Sequence, residues 1–144
     1  MKNGDNEMLK LLIDYANKNN IIINLYENFL HLDYLFLEAI KNNSLENIKL
    51  LIEYYNKKNM IIEINKINNY GNYPLLIAIK HDNINIVKLL IKYSKKNNII
   101  LEINHWNHSR DFPLLFAVEN NNIEMVKLLI YYANENNIIL EMIK

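Results

Sequence analysis

Apolar and polar positions along this chain follow a pattern that returns every 39 residues. The tetrapeptide Lys-Leu-Leu-Ile begins at Lys10, Lys49, Lys88 and Lys127. Other columns hold the same register: Ala39, Ala78 and Ala117; Pro74 and Pro113; Gly4, Asn43, Asp82 and Asn121; Ile22, Ile61, Ile100 and Ile139. A fixed period of this length is the signature of a repeat architecture, in which each unit buries its apolar face against its neighbours.

Within a copy the pattern predicts two helices. Pro74 suits a first helical turn, and Leu75, Ala78 and Ile79 then share one face. Asp82 or Asn83 ends this short helix, because small polar residues tolerate the left-handed conformation of a helix end; copy one has Gly4 there. A second helix runs from about Asn85, with Val87, Leu90 and Ile91 as its buried stripe and Lys88, Lys92 and Lys95 toward water. Between copies, Glu63 to Tyr73 and Glu102 to Phe112 carry turn residues, including Asn68, Asn69 and Gly71, and read as extended fingers.

These blocks resemble the ankyrin repeat family. Its Thr-Pro-Leu-His-x-Ala signature is similar to Tyr73-Pro74-Leu75-Leu76-Ile77-Ala78 and Phe112-Pro113-Leu114-Leu115-Phe116-Ala117. Its hairpin resembles Ile64-Asn65 with Asn68-Asn69-Tyr70-Gly71, and its second helix resembles Ile86 to Ile91 and Met125 to Ile130. The resemblance implies an all-α repeat solenoid of stacked helix-turn-helix ankyrin repeats joined by β-hairpin-like fingers. It spans residues 1–144 as one array: a partial repeat at 1–27, repeats at 28–66 and 67–105, and a repeat at 106–144 whose finger is incomplete.

Four departures from the family pattern accompany the match. A typical repeat has about 33 residues, so the extra residues between Ile91 and Ile103 predict a longer second helix followed by a short apolar strand or turn. Tyr73, Phe112, Leu76 and Leu115 replace the Thr and His of the signature, so apolar packing stands in for their hydrogen bonds. Arg110 occupies the place of the hairpin glycine and disfavours positive φ, which predicts a differently shaped finger. Copy two has Leu35 in place of proline and no glycine from Asn28 to Asp33.

Composition narrows the function classes. Sixteen basic and sixteen acidic side chains balance, so there is no net field for phosphate backbones or anionic membranes. Without cysteine there is neither a disulfide framework nor a thiolate metal site. The start carries no secretory apolar run, and no stretch approaches the length of a membrane span. The expectation is a soluble, intracellular, cytoplasmic protein. Its 28 asparagines read as the codon bias of an AT-rich genome. Ser44, Ser94 and Ser109 lack a triad signature, and the two glycines form no phosphate loop, so the chain reads as no enzyme and as needing no cofactor. His105 and His108 make the best metal pair, but nothing completes four ligands, and an exposed finger tip is the preferred reading.

What remains is the surface of a repeat stack. The resemblance implies binding of another protein on a concave face of fingers and first helices. Its variable contact positions correspond to Ile67, Asn69, Tyr70, Asn72, Lys80 and His81 in copy three. They correspond to Trp106, His108, Ser109, Asp111, Glu119 and Asn120 in copy four, and to His31, Asp33, Lys41 and Asn42 in copy two. Tyr70 and Trp106 are the expected anchors, since aromatic residues dominate binding energy; packing of Trp106 onto the neighbouring finger is the competing reading. The alternative roles are a structural spacer and a regulatory or targeting segment of a larger protein. Both ends fall within a repeat, which predicts a section of a longer array or, if the native chain is this short, end-to-end self-association.

Overall fold

The computed structural model of the chain describes residues 3–23 and 32–142, with the side chains of 3–6 and 32–34 set aside. Two compact units comprise Met1–Glu63 and Ile64–Lys144. The first holds α1 (Asn3–Lys18), α2 (Leu32–Lys41) and α3 (Leu45–Lys57); the second holds α4 (Pro74–Lys80), α5 (Ile84–Lys96), α6 (Pro113–Glu119) and α7 (Ile123–Glu135). Among the described residues every regular element is an α-helix.

The short and long helices alternate because the sequence punctuates them identically in each copy. Pro74 and Pro113 occupy the first turn of α4 and α6, where the missing N–H costs nothing. After each short helix Asn43, Asp82 or Asn121 takes a left-handed φ of 53–56° and reverses the chain. The next residue caps the following helix: Ser44, Asn83 and Asn122 accept from the backbone N–H three residues on. Thus Asp82 makes the turn while Asn83 opens α5, which begins at Ile84.

Copy one departs from this scheme. Gly4 stands in the column of the left-handed residues, but α1 runs straight through it from Asn3. The reversal serves to fold a long helix back on the short one before it. No such short helix precedes Gly4 among the described residues, so the helical conformation continues.

The extra residues of the 39-residue period emerge as a turn and an extended run. The long helices α3, α5 and α7 each have 13 residues and end before Asn59, Asn98 and Asn137, again left-handed at φ 53–56°. The extended run is then held by a tyrosine hydroxyl from the next long helix. The Ile23 N–H donates to the Tyr54 hydroxyl at 2.9 Å, and the Leu101 N–H donates to that of Tyr132 at 2.8 Å. Asparagine amides hold the rest. Asn65 donates to the Ile100 carbonyl and accepts from the Glu102 N–H, and Asn104 does the same with Ile139 and Glu141. Side chains thereby take up backbone groups that a sheet would otherwise pair.

In the second unit α4 packs on α5 and α6, and α6 on α7. Its core takes in Leu75, Leu76 and Ile79 with Ile86, Val87 and Leu90. Each fully buried aliphatic side chain contributes about 1.5–3 kcal/mol relative to exposure. In the first unit α3 packs on both α1 and α2 and buries Ile48, Leu51 and Tyr54. Lys88, Lys92 and Lys95 lie in solvent, where Lys88 meets Glu124 at 3.3 Å and Lys95 meets Glu135 at 2.7 Å. Such exposed pairs contribute little to stability individually.

Candidate partner-binding face

The two described fingers are built on one device. Asn68 accepts through Oδ1 from the N–H groups of Tyr70 and Asn72; Asn107 accepts from those of Ser109 and Asp111. Backbone bonds Asn68 N–H to Asn72 O and Gly71 N–H to Asn68 O close the first turn, and Asn107 with Asp111 and Arg110 close the second identically. The turn requires a left-handed residue at its third position, met by Gly71 at φ 79° and by Arg110 at φ 67°. The distinct finger shape expected from Arg110 is therefore not found. The two Oδ1 bonds and the turn closure outweigh the roughly 1–2 kcal/mol that a side chain loses in that conformation.

The fingers also lock to each other. The His108 N–H donates to the Tyr70 carbonyl at 3.0 Å, and Asn107 Nδ2 donates to Asn72 Oδ1 at 2.9 Å. Contact is so close that a Cβ on Gly71 would lie 2.9 Å from Asn107 Cα and 3.0 Å from His108 N. Glycine is needed there twice over, for its φ and for the approach.

Below the fingers, Tyr73 is wholly buried and donates its hydroxyl to the His105 carbonyl at 2.8 Å. Apolar packing thus does not replace the lost signature hydrogen bonds alone, because Tyr73 restores one. The His105 ring meets Tyr73 edge-on at 5.9 Å. Burial, with the Glu102 carboxylate adding to it, pushes the Tyr73 hydroxyl far above the ordinary tyrosine range. A folded-state pKa raised in this way gives stability that is complete below the unfolded value of about 10 and is lost as pH rises beyond it. Tyr73→Phe is expected to cost about 1 kcal/mol at neutral pH and to flatten the alkaline loss. Urea midpoints measured from neutral pH upward check both effects.

The candidate contact residues sort into two groups. Tyr70 is 70% exposed, and Asn69, His81, His108, Ser109 and Glu119 are exposed too, with side chains for which no hydrogen bond is found within the described chain. Lys80 is exposed with its Nζ 5.8 Å from the Phe116 ring centroid. The remaining residues are engaged internally. Asn72 Oδ1 and Asp111 Oδ2 both accept from Asn107, and Asn120 donates to the Ile79 carbonyl at 3.0 Å. Trp106 is half-buried and stacks on Phe112 at 5.8 Å, with its indole nitrogen enclosed. In copy two Lys41 pairs with Glu38 and Asn42 bonds the Glu38 carbonyl; His31 and the Asp33 side chain lie outside the described residues. Among the described residues no three His, Asp or Glu side chains gather as metal ligands.

The ankyrin repeat family model matches three copies over residues 36–139. The chain belongs to the ankyrin repeat family. Ankyrin repeats are protein–protein interaction modules, typically without enzymatic activity, and this all-α repeat fold is theirs. No curated protein matches the chain. No helix among the described residues of this ankyrin repeat protein is long and apolar enough to cross a membrane.

Proposed function

We propose that the chain is a non-catalytic binding module that takes a protein partner on the fingers and the C-terminal ends of the short helices. The observation that carries this reading is the exposed Tyr70 ring on a turn held by Asn68 and docked to His108, so that little order is lost on contact. Asn69, His108 and Ser109 on the fingers and His81 and Glu119 at the ends of α4 and α6 add exposed polar groups, and an aromatic anchor with polar residues is the mixture that specific interfaces use. Trp106, stacked on Phe112, serves the scaffold of the second finger rather than as a free anchor.

Capture experiments with the immobilised chain test this. The Tyr70→Ala, His81→Ala variant is expected to lose captured protein by tenfold or more, at about 2 kcal/mol for one aromatic anchor, while Lys92→Ala on the outer helix face retains it. A parent chain that captures nothing, or a double variant that captures as well as the parent, would overturn the reading and leave a spacer or regulatory segment.

A further inference from the structure

The exposed side of the fingers carries basic side chains and no carboxylate. Three of its columns are open in both copies, Lys66 with His105, Asn69 with His108 and Tyr70 with Ser109, so their exposure belongs to the finger itself rather than to its place in the array. Residues 64–72 and 103–110 contain neither aspartate nor glutamate. Asp111, which follows, is half-buried, and its Oδ2 accepts from Asn107. Glu63 and Glu102, at the bases of the fingers, are both engaged within the chain. In a chain whose sixteen basic and sixteen acidic groups balance, the finger tips hold a local surplus.

Arg110 gives that surplus a specific shape. It is the one arginine in the chain, against fifteen lysines. It stands at φ 67°, in the place that Gly71 fills in the first finger, where a side chain is strained. Its side chain is exposed, and no hydrogen bond or ion pair to the guanidinium is found within the described chain. Glycine would serve the scaffold better, and strain that does nothing for the fold points to a residue kept for contact. Whatever neighbours this finger, close docking of the kind seen at Gly71 does not cover Arg110, because a Cβ in that setting would lie 2.9 Å from the Cα of the docked turn.

We propose that the fingers take an acidic segment of the partner protein, with one of its carboxylates in the fork of Arg110 and its apolar atoms against the Tyr70 ring. The inference rests on the finger reading above and adds the chemistry of what is taken. Tyr70 and Arg110 stand on turns joined by the bond from the His108 N–H to the Tyr70 carbonyl, so one segment spans both. A guanidinium presents parallel N–H donors that match a single planar carboxylate. Phosphate readers gather several arginines and nucleic-acid readers need a basic field; one arginine on a chain without net charge suits neither.

Capped peptide libraries, each randomised around one fixed central residue and read on the immobilised chain, test the proposal. Peptides with Asp or Glu fixed are expected to be retained at least about fivefold over those with Asn or Gln fixed. Arg110→Gly is expected to erase this preference with helical circular dichroism unchanged, and Arg110→Glu to transfer it to peptides with Lys fixed. Arg110→Lys, which keeps the charge without the fork, is expected to weaken it by about two- to threefold. Tyr70→Ala is expected to lower retention of every library alike. Equal retention of acidic and amide peptides that still depends on Tyr70 overturns the inference and leaves the finger reading standing, as does an acidic preference that Arg110→Gly leaves intact. Retention of phosphoserine peptides or of poly(U) RNA, with Asp and Glu no better than Asn and Gln, overturns it in favour of a phosphate reader. Retention of no peptide overturns it too, and the capture experiment above then decides the finger reading on its own.

Discussion

Leu90→Ala is expected to destabilise the second unit by about 2–5 kcal/mol, while Leu12→Ala at the same register changes stability by less than about 0.5 kcal/mol. Both leucines belong to the Lys-Leu-Leu-Ile motif and look identical in sequence. Leu90 has no exposure, since α5 lies against α4; Leu12 is half exposed because no short helix covers α1 among the described residues. Truncating Leu90 removes transfer free energy and leaves a cavity that well-packed neighbours fill only in part. Truncating Leu12 removes a side chain that water already reaches. Urea unfolding reads the comparison. Trp106 fluorescence reports the second unit, and circular dichroism the helices of both units together. Equal costs at the two positions would contradict the assignment of Leu12 to a face of α1 that no described short helix covers.

The second large effect concerns the fingers. Gly71→Ala is expected to cost roughly 2–4 kcal/mol, combining about 1–2 kcal/mol for a left-handed φ with displacement of the backbone at Asn107 and His108. Arg110→Gly, at the matching position of the next finger, is expected to leave stability unchanged or to raise it by up to about 1 kcal/mol. Strain is relieved there, partly offset by the greater freedom of glycine in the unfolded chain. The opposite signs come from one difference: Gly71 has a finger against it and Arg110 has none among the described residues. Thermal unfolding of the pair of variants measures both, and a loss at Arg110→Gly comparable to that at Gly71→Ala would refute the explanation.

Much of the fold is legible because local signals and the repeat register agree. Pro74 and Pro113 open helices, Leu75 and Leu90 face inward, and the lysines of α5 face outward, as the spacing predicts. The signal hidden in plain view is asparagine. Its abundance reads as codon bias, yet Asn20, Asn43, Asn59, Asn98, Asn121 and Asn137 supply left-handed turns, Asn83 and Asn122 cap helices, and Asn68 and Asn107 build the fingers. Their recurrence at 39-residue intervals could have shown this. Gly4 misleads because a residue column carries meaning only where the surrounding elements are present. Arg110 misleads because propensity alone omits the two bonds to Asn107 Oδ1 that impose the turn. Of the contact residues, sequence places Tyr70 on an exposed tip, but it does not reveal that Asn72, Asp111 and Asn120 spend their polar atoms on the scaffold, which depends on how neighbouring copies meet.

Hydrogen–deuterium exchange of the chain, alone and saturated with a captured partner, tests the binding face most directly. Slowed exchange at residues 69–72, 80–81, 107–111 and 119–120, with the exposed side of α5 and α7 unchanged, is the result expected. Protection confined to α5 and α7, with the fingers exchanging as before, would contradict it.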